Sequence, residues 1–504
     1  MLGLFKAQNL VQKIAAPFEG HSLKAKVFRG SIWLGSGSVL EQASRFGRNL
    51  VLARLLAPDA FGTMIIVLSA SSVLNSFTDI GVKEALIQNP RGTERSYIVA
   101  AWWLAMIRAV SLYIVLFFAA PALAAFYHDP RLVSLLRIAT LSILFDGAFS
   151  PRAYVEVKQM AFRRWAAINH GGPILGVALT LFLSLALRNI WALVIGSCAE
   201  SFFRCVLSYK FSPFIPSFDS SKKTFQELFK FSRGMFGLSF LNLIFARADI
   251  FVLGKLVSAS ELGIYAMAVS LVQAPVGFVM NLLGQTLLPT YSGVQDEDHR
   301  INRILLRTAG LVSWLAFPVL ALVFFCGKTI LSVAYGAQYA TAGLPLVLAS
   351  CVGLINLQNG QPTMIFYAKG MPQLHRNAVL MMALIAGAAM WPLSSAMGAA
   401  GAQIACLTSI VAGYSFQLIR LRRLTELSLF SYGKRVLLPA ALTFGVFAFF
   451  GLVLELGRLG QPYARLLLGV AACLVCYSLG LPRILFSQKT RPAVLAGNGE
   501  GSHV

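Results

Sequence analysis

Fourteen apolar runs of about twenty residues punctuate this chain, and each is long enough to cross a bilayer as a helix. They begin with Ser31–Leu56 and end with Leu466–Leu485; the first, together with the seventh at Met235–Leu256, is the least apolar. The runs are continuous rather than ten-residue alternating stretches, so they specify helices and not a barrel. Composition agrees. Of 504 residues, 57% are hydrophobic and 12% charged, with mean hydropathy +0.70. Soluble domains carry about 25% charged residues. A soluble multi-core chain and a disordered one are both excluded. Seven cysteines in this length are too sparse for a secreted disulfide scaffold.

The formal net charge of +23 does not indicate nucleic-acid binding. The basic residues sit in short connectors between apolar runs rather than on one face of a domain. With the N-terminus placed in the cytoplasm, 31 of the 43 Lys and Arg fall on the cytoplasmic side and 7 on the outer side. That bias predicts the orientation, and with it an even number of spans. Residues 1–29 have scattered charges and no apolar signal core, so no cleavable leader is expected. Leu2, Leu4, Phe5, Leu10, Val11 and Ile14 could form a weak amphipathic helix on the inner surface or belong to a frayed tail. Outer connectors are expected to be short, the longest near Pro121–Arg131 and Gly327–Tyr339.

The chain also resembles itself. Val51–Gly62 (VLARLLAPDAFG) aligns without a gap on Val252–Gly263 (VLGKLVSASELG) at an offset of 201 residues. A second echo pairs Phe126-Tyr127 with Ala334-Tyr335. Six spans lie between equivalent points, so both copies enter the membrane in the same direction. Parallel repeats of this kind are a transporter architecture. The expected organisation is a cytoplasmic segment (1–30), a first six-helix lobe (31–210), a cytoplasmic connector (211–232), a second lobe (233–425), two further helices (426–486) and a cytoplasmic tail (487–504). The fold class is thus all-α integral membrane, with two pseudo-symmetric six-helix lobes and two C-terminal helices.

Ionisable residues within spans are costly and are functional candidates by default. In the first span Glu41, Arg45 and Arg48 share one face. This stripe is expected to line a polar cavity, or else Glu41 and Arg45 neutralise each other while Arg48 reaches the interface. The seventh span carries Arg247 and Asp249; under the repeat, Asp249 is the counterpart of Arg48. Arg108 in the third span is expected to face the same cavity, and Arg137 in the fourth to face it or the interface. Glu200, Asp79 and Asp146 are further acids; Glu41, Asp249 and Glu200 are candidates for proton or ion coupling. Arginine presents a permanent, bidentate fork to phosphate oxygens, so Arg45, Arg48, Arg108 and Arg247 are candidate ligands for an anionic, pyrophosphate-bearing substrate. Asn281, Gln285, Asn356 and Asn359, with Gln358 and Gln361 beside them, suit sugar hydroxyls or interhelical hydrogen bonds.

Other patterns carry little. Cys473-Leu-Val-Cys476 lies inside an apolar run without a second ligand pair. Gly35-Ser-Gly37 lacks the rest of a dinucleotide fingerprint and is expected to allow close helix packing. His170, the one histidine inside a span, is expected to be structural. No Walker A motif is present, and nothing in the pattern implies a metal or a cofactor.

The residues Arg247-Ala-Asp249, Leu253-Gly-Lys255, Leu262-Gly-Ile-Tyr265, Ala268, Pro275, Ala53–Gly62, Asp79-Ile-Gly81, Ala85–Gln88 and Tyr335-Gly336 resemble the Wzx-type polysaccharide exporters and lipid-linked oligosaccharide flippases of the multidrug/oligosaccharidyl-lipid/polysaccharide (MOP) superfamily. The resemblance implies a bacterial inner-membrane protein with both termini cytoplasmic. Such a protein moves undecaprenyl-pyrophosphate-linked oligosaccharide between leaflets for exopolysaccharide, capsule or O-antigen assembly, alongside a polymerase or export complex. It implies alternating access around a cationic cavity and no catalysed reaction. A drug or ion antiporter and a peptidoglycan-precursor flippase of the same superfamily are the competing transporters. A polysaccharide polymerase or ligase is the competing enzyme, disfavoured by the short outer loops and the repeat.

Overall fold

The computed structural model describes residues 23–77, 82–217, 224–228, 238–456 and 462–486. Every element of regular structure among them is helical. The first stretch gives α1 (Leu23–Leu55) and α2 (Pro58–Phe77), then the short α3 (Val82–Gln88). A long α4 (Arg95–Tyr127) leads to α5 (Arg131–Ala139), α6 (Leu141–Gly147) and α7 (Arg152–Lys158). Next come α8 (Phe162–Leu187), α9 (Trp191–Phe211), α10 (Leu238–Leu256) and α11 (Ala259–Ser292). The remainder is α12 (Asp298–Ala334), α13 (Gly343–Ala368), α14 (Pro372–Thr425), α15 (Leu429–Leu456) and α16 (Pro462–Phe486).

Among the described residues nine helices are long and apolar enough to cross a membrane, and ten if the bent α5–α7 segment counts as one span. The helices α1 and α10 are long enough but carry more charge. The first holds Glu41, Arg45 and Arg48, and the second Arg247, Asp249 and Lys255. Helix α14 holds two of the expected runs. Its regular backbone breaks at Gly398, where φ is +56° and ψ −135°, a conformation essentially reserved for glycine. The break falls between the eleventh and twelfth expected spans.

Two expectations are corrected. The fourth span is not one straight helix. It divides at Thr140 into α5 and α6, and α7 then turns away by 57°. Thr140 is fully buried and its hydroxyl returns a bond to the Leu136 carbonyl at 2.8 Å, a contact that competes with the helical ladder. The outer connectors are also shorter than expected. Pro121 lies inside α4, which continues to Tyr127 and stops at His128 in a left-handed cap (φ 57°). Within a bilayer, neighbouring helices and local adjustment make an internal proline tolerable. Likewise α12 runs past Gly327 to Ala334.

By packing, the chain forms two compact units: Met1–Ala274 with Met382–Cys406, and Pro275–Met381 with Leu407–Val504. Within the first, α8 and α9 make close backbone contact. A Cβ on Gly172 would lie 2.6 Å from Arg204 Cα, one on Gly176 2.3 Å from Glu200 Cγ, and one on Gly196 2.0 Å from Thr180 Oγ1. Small residues at positions 172, 176 and 180 thus present a smooth stripe to α9, the means by which membrane helices approach closely. In the second unit, Leu287, Tyr291, Ile301, Leu305, Phe366 and Leu421 form the main buried cluster.

The internal repeat has a physical counterpart in the first unit. A Cβ on Gly62 would sit 1.8 Å from the Ala259 carbonyl oxygen and 2.9 Å from the Gly263 nitrogen. A Cβ on Gly263 would sit 1.8 Å from the Pro58 carbonyl oxygen and 2.9 Å from the Gly62 nitrogen. Both pairs of positions differ by the 201 residues of the sequence repeat. The two copies therefore meet in a mutual, pseudo-two-fold contact where α2 and α11 begin.

Candidate functional site

The stripe on α1 meets α8 and α9 in the first unit. Arg45 lies one turn beyond Glu41, and its Nε donates to Glu41 Oε1 at 3.0 Å. Its other two nitrogens fork onto Glu200 of α9, at 3.3 Å to Oε1 and 2.6 Å to Oε2. Arg48, one turn further, donates from Nη1 to the same Glu200 Oε1 at 2.9 Å. Glu200 thus holds two guanidinium groups. On the other side, Glu41 Oε2 lies 2.7 Å from His170 Nδ1 on α8. Five ionisable side chains from three membrane helices form one continuous chain: His170, Glu41, Arg45, Glu200, Arg48.

The backbone explains why they can meet. Gly176 clears the space against which Glu200 rests, and Gly37 clears the space for His170, whose Cδ2 would lie 2.5 Å from a Cβ there. Two carboxylates balance two guanidinium groups in this chain. The desolvation cost of each charge is offset only while its partner remains in place.

Sequence reasoning set His170 aside as structural, and the structure places it directly on Glu41. The signal was present: an ionisable group within a membrane span needs a partner. Of the two alternatives left open for the first span, only the local pairing of Glu41 with Arg45 is seen directly. Glu41 and Arg45 do pair, and Arg48 stays in the cluster rather than reaching the interface.

The other candidates are distributed elsewhere. Arg108 does not join this cluster. Its Nη2 donates to the Asn75 carbonyl at 2.7 Å, and it lines a separate cavity of about 240 Å³ with Asn75, Lys83, Asp146 and Tyr154. Asp146 accepts from Ser201 at 3.3 Å. Arg137 lies over the Phe117 ring at 4.1 Å. Asp249 is buried; its Oδ2 accepts from Tyr265 at 2.5 Å, and Tyr265 in turn accepts from Gln403 Nε2 at 2.5 Å. Asp249 is thereby engaged within its own copy of the repeat, while Arg48 is engaged with Glu200. Arg247 is half-buried beside it. Asp79 lies outside the described residues, and the side chain of Gln285 is likewise not among those described.

In the second unit the amides divide. Gln358 donates to Ser313 at 2.8 Å and accepts from Gln361 at 2.9 Å; Thr308 donates to Gln361 at 2.6 Å. These two glutamines knit α12 to α13. Asn281 is exposed, Asn356 half-buried and Asn359 buried, its Oδ1 accepting no hydrogen bond among the described residues.

A family model described as "Polysaccharide biosynthesis protein" matches residues 51–343. The chain is 26% identical over 344 residues to the succinoglycan biosynthesis transport protein ExoT of Rhizobium meliloti, covering 67% of this chain and 68% of that one. It is 23% identical over 406 residues to the teichuronic acid biosynthesis protein TuaB of Bacillus subtilis, covering 79% and 83%. In fold it is similar to the lipid II flippase MurJ in an inward closed conformation, with TM-score 0.73 at 14% identity over 90% of this chain and all of that one. An inward-facing multidrug resistance MATE transporter of the MOP superfamily matches at TM-score 0.56 and 13% identity, covering 83% and 99%. A multi-pass, all-α membrane chain with this repeat, this fold and a family match over more than half its length belongs to the polysaccharide biosynthesis protein family.

Proposed function

We propose that this protein is a flippase that carries undecaprenyl-pyrophosphate-linked oligosaccharide across the bacterial inner membrane, with both termini in the cytoplasm. It would serve exopolysaccharide, capsule or O-antigen assembly beside a polymerase or export complex, and it acts by transport rather than catalysis. Alternating access would involve the lobes at 31–210 and 233–425. The observation that supports this reading best is the double grip of Arg45 and Arg48 on one carboxylate, Glu200.

A pyrophosphate and a carboxylate compete for the same guanidinium fork. In this mechanism the cargo phosphate takes Arg45 and Arg48 when Glu200 lets them go. A proton delivered to Glu200 removes its charge and favours that exchange, and Glu41 with His170 lies next in line. Asp249 would supply an equivalent acid in the second copy of the repeat. Arg108 and Arg247 would add attraction for the anion, and Asn281, Gln285, Asn356 and Asn359 would meet the sugars.

The test is deletion in the native host, with undecaprenyl-linked oligosaccharides extracted and their leaflet accessibility read in the same cells. Repeat units trapped in the inner leaflet, with surface polymer restored by the wild type but not by Arg45→Ala or Arg48→Ala, is the expected result. Units exposed to the periplasm would overturn the reading in favour of a polymerase. Rescue of cell-wall growth in cells lacking their peptidoglycan-precursor flippase would redirect it to that substrate.

A further inference from the structure

A groove of about 650 Å³ runs between α1 and α8 in the first unit, with Phe211 of α9 also lining it. That volume lies within the range of small-molecule sites, ~300–1,000 Å³. Its walls are mainly apolar: Trp33 and Leu40 from α1, and Ile174 from α8. Both α1 side chains are open, Trp33 at 48% and Leu40 at 57% exposure. Small residues, Ser36, Gly37 and Gly171, form the depression.

One end of the groove is basic. Arg163 and Arg164 stand at the start of α8, both exposed. The guanidinium of Arg163 lies 5.4 Å from the Trp33 ring. Arg164 is 3.3 Å from Glu156, so one carboxylate is present for two cations. An apolar channel ending in a tryptophan and paired arginines has the chemistry of a lipid with a phosphate headgroup. The floor is not inert: His170 lines it and carries the bond to Glu41.

We propose that this groove binds an anionic glycerophospholipid of the surrounding bilayer. One acyl chain lies along Leu40 and Ile174, Trp33 sits at the level of the glycerol, and the phosphate is held by Arg163 with Arg164. The bound lipid touches the histidine end of the ionic chain, so bilayer composition acts on that chain through His170. The site is independent of what the protein transports.

The test is lipid titration of the purified full-length protein in detergent, read by native mass spectrometry. The probes are phosphatidylglycerol, phosphatidylcholine and undecaprenyl phosphate. Phosphatidylglycerol is expected to bind at least 10-fold tighter than phosphatidylcholine, since each basic residue near the headgroup contributes several-fold. The Arg163→Gln/Arg164→Gln double variant should lose that preference, roughly a 10- to 30-fold effect. Leu40→Trp, which fills the groove without changing its charge, should weaken both phospholipids together. Equal binding of the two phospholipids to the wild type overturns the proposal, as does full retention of the preference in the double variant. Displacement of phosphatidylglycerol by equimolar undecaprenyl phosphate would overturn it in favour of a prenyl carrier site. The wild-type comparison decides even where a variant does not fold.

Discussion

Gly62 and Gly263 occupy equivalent places in the two copies of the repeat and pack against each other, each leaving no room for a side chain. The alignment of Val51–Gly62 on Val252–Gly263 could have been a coincidence between apolar helices. A mutual contact between the matched glycines, with Pro58 and Ala259 as the matched neighbours, is what a true repeat about a pseudo-two-fold axis requires.

Gly62→Val and Gly263→Val should therefore each destabilise the protein by at least the ~1–3 kcal/mol typical of overpacking, because the obstructing atoms are backbone and cannot rotate away. The double variant should cost less than the sum, as both changes act on one contact. Gly47→Ala, at a position with open space around it, should be neutral or slightly stabilising. Thermal unfolding in detergent distinguishes these outcomes.

The ionic chain offers a separation of stability from function. Glu200→Ala leaves Arg45 and Arg48 without their shared partner and should cost about 3–5 kcal/mol. Replacing Arg48 and Glu200 together by methionine should bring stability back toward the wild type while transport stays lost. Recovery of polymer export along with stability would mean the pair is structural only.

His170 should matter through Glu41. His170→Ala removes the 2.7 Å contact and opens the floor of the α1–α8 groove; export should fall several-fold more than in Gly171→Ala, a change on the same wall. Polymer yield at matched protein level is the measurement. Equal effects of the two substitutions would assign His170 to packing.

Gly398→Ala places a Cβ on a backbone that side chains avoid and should cost about 1–3 kcal/mol. Gly387→Ala, in the same helix, with open space around it, serves as the control. Comparing the two unfolding temperatures checks the assignment.

The glutamines of α13 give the opposite expectation. Gln358→Ala and Gln361→Ala should lower stability by about 0.6–1.7 kcal/mol each, the range for interhelical hydrogen bonds in membranes, with export retained. Asn359→Ala should change stability less, since its Oδ1 accepts no hydrogen bond among the described residues, and a loss of export there would mark a cargo contact.

Much of this architecture is legible from the sequence, because apolar run length reports bilayer thickness directly. The break at Gly398 could be read for the same reason: the apolar run on either side is one span long. The division at Thr140 could not, since α5 and α6 are continuous in hydropathy and only the buried hydroxyl marks it. The extension of α4 through Pro121 was hidden because proline ends helices in water but is tolerated in a bilayer. At the site, the Glu41–Arg45–Arg48 face follows from helical spacing alone. That Glu200 would be the partner of both arginines does not, because nothing local links positions 155 and 152 residues apart.

That separation has a consequence for how the protein is made. When α1 enters the membrane, Arg45 already has Glu41 one turn away, but Arg48 has no acid until α9 leaves the ribosome. At about 5–20 residues per second, 152 residues take on the order of 10–30 seconds. For that interval the newborn first helix carries a guanidinium that its finished partner has yet to neutralise. Its low apolarity fits an element that waits near the membrane surface or the insertion machinery. The arrival of Glu200 is then what gives Arg48 its carboxylate.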